Sequence, residues 1–369
     1  MTIVGTRPEI IRLSRTMALL DQHLNQVIVH TGQNYDYELN EIFWNELDLR
    51  KPDYFLGVDT SSLGATVGDI IRKSEEVLKK EMPDAMLVLG DTNSCLAAYM
   101  AKRMHIPVFH MEAGNRSFDF NVPEEINRRI IDHLADFNLV YTEHARRHLL
   151  SEGLPHRRIY LTGSPMKEVL DHYKTKIEQS QALSNLNLES GKYFIVSTHR
   201  EENVDNRDNL RRIVETLNLL AQEYDLPVIV STHPRTRKRI ETIQDLVIDN
   251  RIQWMKPFGF IDYVFLQMNA LCTISDSGTI SEESAMLSFP AISLRQSMER
   301  PEAQDAGTII LTGFDSKNVL DAVRLSTEEH RIRKYEQIAQ DYTITDTSWR
   351  VLKLIMGNTG LSNLWHGIP

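Results

Sequence analysis

The chain has 369 residues, 41% of them hydrophobic, and its 51 acidic against 41 basic side chains leave a net charge of −10. That length exceeds the ~250–300 residues at which a single core stops growing, so two domains are expected. The acidic balance argues against nucleic acid or an anionic membrane as the main partner, and no apolar run approaches the ~18 residues of a membrane span.

The opening "MTIVGTRPEIIRL" has no basic segment followed by an apolar one, so a cytoplasmic protein is expected. Short apolar runs that read as strands follow: "TIVGT", "QVIVHTG", "AMLVLGD", "PVFHMEA" and "FNLVYT". They alternate with helix-period segments, the signature of parallel βαβ units. The clearest helix follows "DTSSLG", where Leu63, Val67, Ile70, Ile71, Ser74, Val77 and Leu78 recur at spacings of three and four. The alternation restarts at "YFIVSTH" and runs through a helix from Leu210 to Tyr224, "PVIVSTH", a basic helix from Thr236, "IQWM", a helix over Phe260 to Asn269, "LCTISDSG", a helix from Ile280, "AISL" and "TIILTG". The pattern predicts an α/β chain of two Rossmann-like, doubly wound domains, residues 1–170 and 171–345, with the polar stretch 167–192 as hinge. A C-terminal helix over 346–369 is expected to pack back on the first domain. Cys95 and Cys272 have no CxxC partner and read as buried, reduced thiols.

Polar clusters fall where apolar strands end and helices begin: "GTRPE", "HTGQNYD", "GDTNS", "HMEAGNR", "STHREEN", "STHPRT" and "SDSGTISEE". In open α/β sheets that edge binds ligands. Single members such as Asp91 or Ser277 are more often helix caps, but seven clusters in register point to a cleft between the domains. In "SDSGTISEE", Ser277, Gly278 and Thr279 open a helix whose positive end suits a phosphate. Arg7, beside Pro8 at another helix start, adds a guanidinium for a second phosphate oxygen, so a pyrophosphate is expected. Neither G-x-G-x-x-G nor G-x-x-x-x-G-K-[ST] occurs after a strand, which argues against NAD and P-loop chemistry. Glu282 and Glu283, one turn further, are candidates for a ribose, or simply acids favoured by the helix dipole.

The stretch "FHMEAGNRSFDFNVPEEINRRIIDHLAD", from Phe109 to Asp136, is dense in carboxylates, arginines and histidines. No HxxxH or HExxH spacing concentrates metal ligands in it, so no metal is expected. Its helix shows Ile126, Ile130, Ile131 and Leu134 on one side, which predicts Glu125, Arg129 and Asp132 as exposed. Glu112 at a strand end, Glu124 after Pro123 at the helix start, and Arg128 one turn on are expected to converge over the cleft.

Taken together, "GTRPE", "HTGQ", "GDT", "EAG-R…PEE-NR", "HR-EN", "HP", "DSG-I-EE" and "RPEA" resemble, in order and over essentially the whole chain, the non-hydrolysing UDP-N-acetylglucosamine 2-epimerases. The resemblance implies a glycosyltransferase-B-like pair of Rossmann domains holding a UDP-sugar in the interdomain cleft, with no metal or redox cofactor. In that family C2 is inverted by expelling UDP to form a 2-acetamidoglycal and then returning it, which requires acid/base groups on both faces of the ring. By resemblance Asp91, Glu112 and Glu124 serve as those groups, while Arg7, His199, Ser277, Gly278 and Thr279 stabilise the departing pyrophosphate. Arg128, His233 and Arg300 follow as second-line contacts, and a homodimer without nucleic-acid or membrane partners is expected.

Some residues depart from the family's main branch. Asn115 stands in "EAGNR" where EAGLR is usual, "SFDFN" follows it, Ser281 replaces a common Gln, and "GQNYDYEL" replaces the loop of an allosteric substrate site found in bacterial members. This form looks like the branch that converts a UDP-2-acetamido-2,6-dideoxy-L-talose into UDP-N-acetyl-L-fucosamine, with Phe118 and Phe120 expected to bury the sugar's methyl group. Conversion of UDP-N-acetylglucosamine to UDP-N-acetylmannosamine is the alternative, and a glycosyltransferase of the same architecture is a further one.

Overall fold

The computed structural model describes residues 1–33, 44–198, 207–232, 239–240, 247–334 and 338–368. His199 and His233 lie outside the described residues, as do most of "STHREEN", "STHPRT" and "GQNYDYEL" and the start of the basic helix expected from Thr236. The chain forms two compact units, one comprising Met1–His172 with Gln340–Pro369 and the other Tyr173–Ala339.

In the first unit seven strands, β1 (Thr2–Val4), β2 (Ile28–His30), β3 (Tyr54–Phe55), β4 (Met86–Leu89), β5 (Val108–Ala113), β6 (Phe137–Val140) and β7 (Ile159–Leu161), form one sheet in the order β3-β2-β1-β4-β5-β6-β7. Every pairing is parallel. The winding therefore reverses between β1 and β4, and the crevice at such a reversal is where α/β sheets bind ligands. Ile3, Val29, Val88 and Val108 from the strands pack on Ile70, Val77 and Leu78 of the Leu63–Glu81 helix. Fully burying each such side chain contributes roughly 1.5–3 kcal/mol. Within that helix the predicted stripe is buried at Ile70, Ser74, Val77 and Leu78, but Leu63, in the first turn, is 69% exposed.

The second unit repeats the plan with β8 (Phe194–Ser197), β9 (Val228–Ser231), β10 (Ile252–Met255), β11 (Cys272–Ser275), β12 (Ala291–Ser293) and β13 (Ile310–Leu311), in the order β10-β9-β8-β11-β12-β13. All of these pairings are parallel too, and the reversal falls between β8 and β11. The expected α/β class and its two doubly wound sheets are therefore present. Two strands, β3 and β7, were not read from the sequence; both are only partly buried.

The polar stretch read as a hinge is mostly helical, with helices over Met166–Glu178 and Ala182–Asn185. The helix Thr347–Trp365 packs on the Arg7–His23 helix of the first unit, with Ser348 Oγ 3.2 Å from Thr16 Oγ1. Its end is fastened by His366, whose Nε2 lies 2.9 Å from the buried Asp136 carboxylate. Among the described residues no helix is long and apolar enough to cross a membrane.

Candidate active site

At the reversal in the first unit, β1 runs into Gly5 and the Arg7–His23 helix. Glu9 folds back over the helix start: its Oε2 accepts the N–H groups of Gly5 at 2.9 Å and Thr6 at 2.7 Å. Its other oxygen accepts from Ser94, just beyond β4, so one carboxylate ties the "GTRPE" and "GDTNS" loops together. Burial pushes the Glu9 carboxyl above its ordinary range, against the hydrogen bonds that favour its charge. Glu9 was not singled out from the sequence, although its capping-box spacing from Thr6 was a usable signal. Arg7, at the first helical position, is partly exposed.

Asp91 follows β4. Arg128 approaches its Oδ2 with Nη2 at 2.6 Å and Nε at 3.0 Å. Arg128, expected as a second-line contact, is 5% exposed and directed at Asp91 and at Glu125, 3.0 Å from its Nη1.

Glu112 sits on a bulge. Met111 pairs with Leu139 and Ala113 with Val140, so Glu112 is the extra residue of β5, with a left-handed φ of 66°. Such a backbone is costly for a non-glycine residue, of order 1–3 kcal/mol, and is characteristic of functional sites. The bulge turns the side chain over the end of β4, where Oε2 lies 3.6 Å from the position a Cβ on Gly90 would take. There the carboxylate is ion-paired with Arg12, and Asn115 Nδ2 donates to its Oε1 at 3.4 Å. Arg12 escaped sequence reasoning because nothing in "EIIRLSR" links it to a strand end 100 residues away.

The Pro123–Leu134 helix departs from the prediction on part of its surface: Ile131 is buried and Leu134 packs on the core as expected, but other positions differ. Glu125 and Asp132 are fully buried while Ile126 and Ile130 are 51% and 46% exposed. The buried face is polar because Arg116 and Arg128 supply partners: Arg116 donates to Asp132 at 2.6 Å, and Glu125 accepts from Arg128, from Arg129 and from the Ser117 N–H at 3.0 Å. Burial raises the Glu125 carboxyl, but the Ser117 amide and the Arg128 charge outweigh it and hold the group below its usual range. Glu124, in the first turn, is exposed. Phe118 and Phe120, expected beside the sugar's methyl group, are 66% and 67% exposed. The Arg129 guanidinium lies 5.9 and 5.3 Å from their ring centres.

In the second unit, β11 leads into the turn Ser277-Gly278-Thr279 and the helix Ile280–Leu287, beside the end of β8. The Ser277 N–H donates to Ser275 Oγ at 3.0 Å and the Thr279 N–H to Ser277 Oγ at 3.3 Å, so the turn is preformed by its own hydroxyls. Arg300 Nη1 donates to the Gly278 carbonyl at 3.2 Å and is 3.0 Å from the fully buried Glu282. Of the two acids considered for ribose, Glu282 is thus the one buried beside Arg300. Glu283 lies nearer the surface, 9% exposed, and accepts from Gln267 Nε2 at 2.9 Å. A buried pair, Arg295 with Glu299, backs the turn close to Gly278 and was not foreseen.

A family model described as UDP-N-acetylglucosamine 2-epimerase matches residues 18–356. The structure of UDP-N-acetylglucosamine 2-epimerase from Rickettsia bellii is 47% identical, covers 98% of this chain and 97% of its own, and gives a TM-score of 0.92. The Methanocaldococcus jannaschii UDP-GlcNAc 2-epimerase in complex with UDP-GlcNAc and UDP is 33% identical, with coverages of 96% and 99% and a TM-score of 0.89. A curated relative from Pseudomonas aeruginosa, a UDP-2,3-diacetamido-2,3-dideoxy-D-glucuronate 2-epimerase, is 35% identical over 332 residues, 88% of this chain and 91% of its own. The two parallel, doubly wound sheets therefore make a glycosyltransferase-B-like α/β enzyme. The chain belongs to the non-hydrolysing UDP-N-acetylglucosamine 2-epimerase family and is an isomerase.

Proposed function

We propose that this protein inverts C2 of a UDP-linked 2-acetamido sugar. A base removes the C2 proton while the C1–O bond to UDP breaks, leaving a 2-acetamidoglycal. A proton then reaches C2 from the opposite face and UDP adds back to C1. This route avoids an unstabilised carbanion, because C2–H is not α to a carbonyl. The observation that carries the reading is the placing of two carboxylates at neighbouring strand ends, each gripped by an arginine: Asp91 by Arg128 and Glu112 by Arg12. Held in this way, they are aimed for proton transfer rather than left to rotate in solvent.

Asp91, Glu112 and Glu124 are the proposed acid/base groups. Arg7, His199 and the Ser277-Gly278-Thr279 turn take the pyrophosphate, Glu283 the ribose, and Arg300 and His233 support that half. Arg128 acts through Asp91. The names of the family relatives cover more than one sugar, so the substrate is argued from this chain's own residues. Asn115, the residue that departs from the main branch, reaches Glu112 itself. On that ground we favour UDP-2-acetamido-2,6-dideoxy-L-talose as substrate and UDP-N-acetyl-L-fucosamine as product. The second reading, UDP-N-acetylglucosamine to UDP-N-acetylmannosamine, is favoured by the names of the Rickettsia and Methanocaldococcus proteins. Initial rates with both nucleotides decide between them: faster turnover of the 6-deoxy-L-talo compound supports the first, and a comparable or faster rate with UDP-N-acetylglucosamine removes it. The exposed Phe118, Phe120, Ile126 and Ile130 support a homodimer as the working form, which sedimentation checks.

A further inference from the structure

Beneath the proposed acid/base groups, the first unit carries a ring of ion pairs and other close polar contacts that starts at Asp91 and returns to Gly90. Asp91 is held by Arg128, which reaches Glu125 at 3.0 Å; Glu125 is 2.9 Å from Arg129, which donates to Glu152 at 3.4 Å. Glu152 accepts from Arg116 at 2.7 Å, Arg116 donates to Asp132 at 2.6 Å, and Asp132 lies 2.9 Å from His110 Nδ1. His110 closes the ring by donating its Nε2–H to the Gly90 carbonyl at 2.9 Å. Asp132 also accepts the Gly114 N–H at 3.1 Å, two residues beyond the bulged Glu112.

The ring thus grips Asp91 by its carboxylate on one side and by the preceding peptide on the other, and pins the backbone on the far side of Glu112. Arg116, Glu125, Asp132 and His110 are each at most 1% exposed. Ion pairs buried so deeply are a poor source of stability, because desolvation offsets their attraction and an apolar core of the same volume serves as well. A buried network of ion pairs and hydrogen bonds does fix geometry, and geometry is what two proton-transfer groups require.

We propose that Glu125 and Glu152 are positioning residues of the epimerisation: without touching substrate, they hold Asp91 and the Glu112 bulge in register through the ring. The inference rests on Asp91 acting in proton transfer, and its test separates the two ideas. Turnover, KM and UDP affinity are measured on the full-length enzyme for Asp91→Asn, Glu125→Gln and Glu152→Gln, with active sites counted by UDP titration. Expected is loss of turnover for Asp91→Asn, a kcat lower by ~10-fold or more for Glu125→Gln and by ~3-fold for Glu152→Gln, with KM and UDP affinity within ~2-fold. Glu152 is at the outer rim with 20% of its side chain exposed, so its variant carries the test if Glu125→Gln does not fold. An inactive Asp91→Asn beside ring variants of wild-type kcat overturns the proposal and leaves the reading of Asp91 standing. Equal losses in kcat, KM and UDP affinity also overturn it, since the ring is then merely structural. A fully active Asp91→Asn overturns the reading of Asp91 and the proposal with it.

Discussion

Arg128 grips Asp91 through a single oxygen, with Nη2 and Nε both on Oδ2 at 2.6 and 3.0 Å. Among the described residues nothing donates to Oδ1, and the side chain is 21% exposed, so one oxygen is fixed while the other is presented. Lysine at position 128 keeps the charge but loses the two-pronged grip. Arg128→Lys is therefore expected to lower kcat by ~10²-fold, the scale of a 1 Å misplacement, while UDP binding holds. Equal kcat in the variant contradicts that role.

Glu112 and Glu124 are proposed to work on C2 rather than on the nucleotide. Glu112→Gln and Glu124→Gln should lower turnover by orders of magnitude and leave UDP affinity within about tenfold, or ~1.4 kcal/mol, in titration calorimetry. Parallel losses of binding and turnover would make these carboxylates structural.

His30 predicts how stability depends on pH. It is 1% exposed, stacks on Phe55, and its Nδ1 accepts the Gly32 N–H at 3.0 Å. Burial favours the neutral ring and lowers its pKa from 6.5 to about 4. Between those values the unfolded chain binds a proton that the folded chain does not. The contribution is complete above pH ~6.5 and declines as pH falls toward 4, by up to ~3 kcal/mol. Glu152, held down to about 2 chiefly by hydrogen bonds from Arg116, loses its contribution only in more acid solution, as pH falls from 4.5 through that value. Urea unfolding at pH 7 and pH 5 should show a smaller difference for His30→Gln than for the wild type; an unchanged difference rules out His30 as its source.

Gly5 sits at a close approach of chain segments in the first unit. A Cβ there meets Thr31 Oγ1 at 2.4 Å, Gln33 Nε2 at 2.8 Å and Ser94 Cβ at 2.9 Å. Gly5→Ala is expected to cost ~1–3 kcal/mol by overpacking, read as a lower melting temperature, and to loosen the loop clamped by Glu9. A melting temperature equal to the wild type's contradicts this.

The strands from "TIVGT" to "TIILTG" were legible because buried parallel strands are continuous apolar runs. Asp91, Glu112 and Ser277 could be placed at strand ends for the same reason. The polar side of the Pro123–Leu134 helix was misread because its apolar residues were assigned to the core by default. Its partners Arg116 and Glu152 lie 16 and 23 residues away from the helix residues they meet, on other elements, and periodicity carries no trace of them. The Arg12–Glu112 pair and the left-handed backbone of Glu112 are equally tertiary facts: the first joins β5 to the Arg7–His23 helix, and the second belongs to the bulge in the β5–β6 pairing. The capping box at Thr6 and Glu9, by contrast, was written in the local sequence.

The central claim, inversion at C2 through a glycal, is tested most directly by incubating the enzyme with its UDP-2-acetamido sugar in heavy water and following C2 by NMR and mass spectrometry. The predicted result is one solvent deuterium at C2 of the epimerised nucleotide, with UDP still attached at equilibrium. Epimerisation without deuterium at C2, or conversion of the nucleotide to free sugar and UDP, would contradict it.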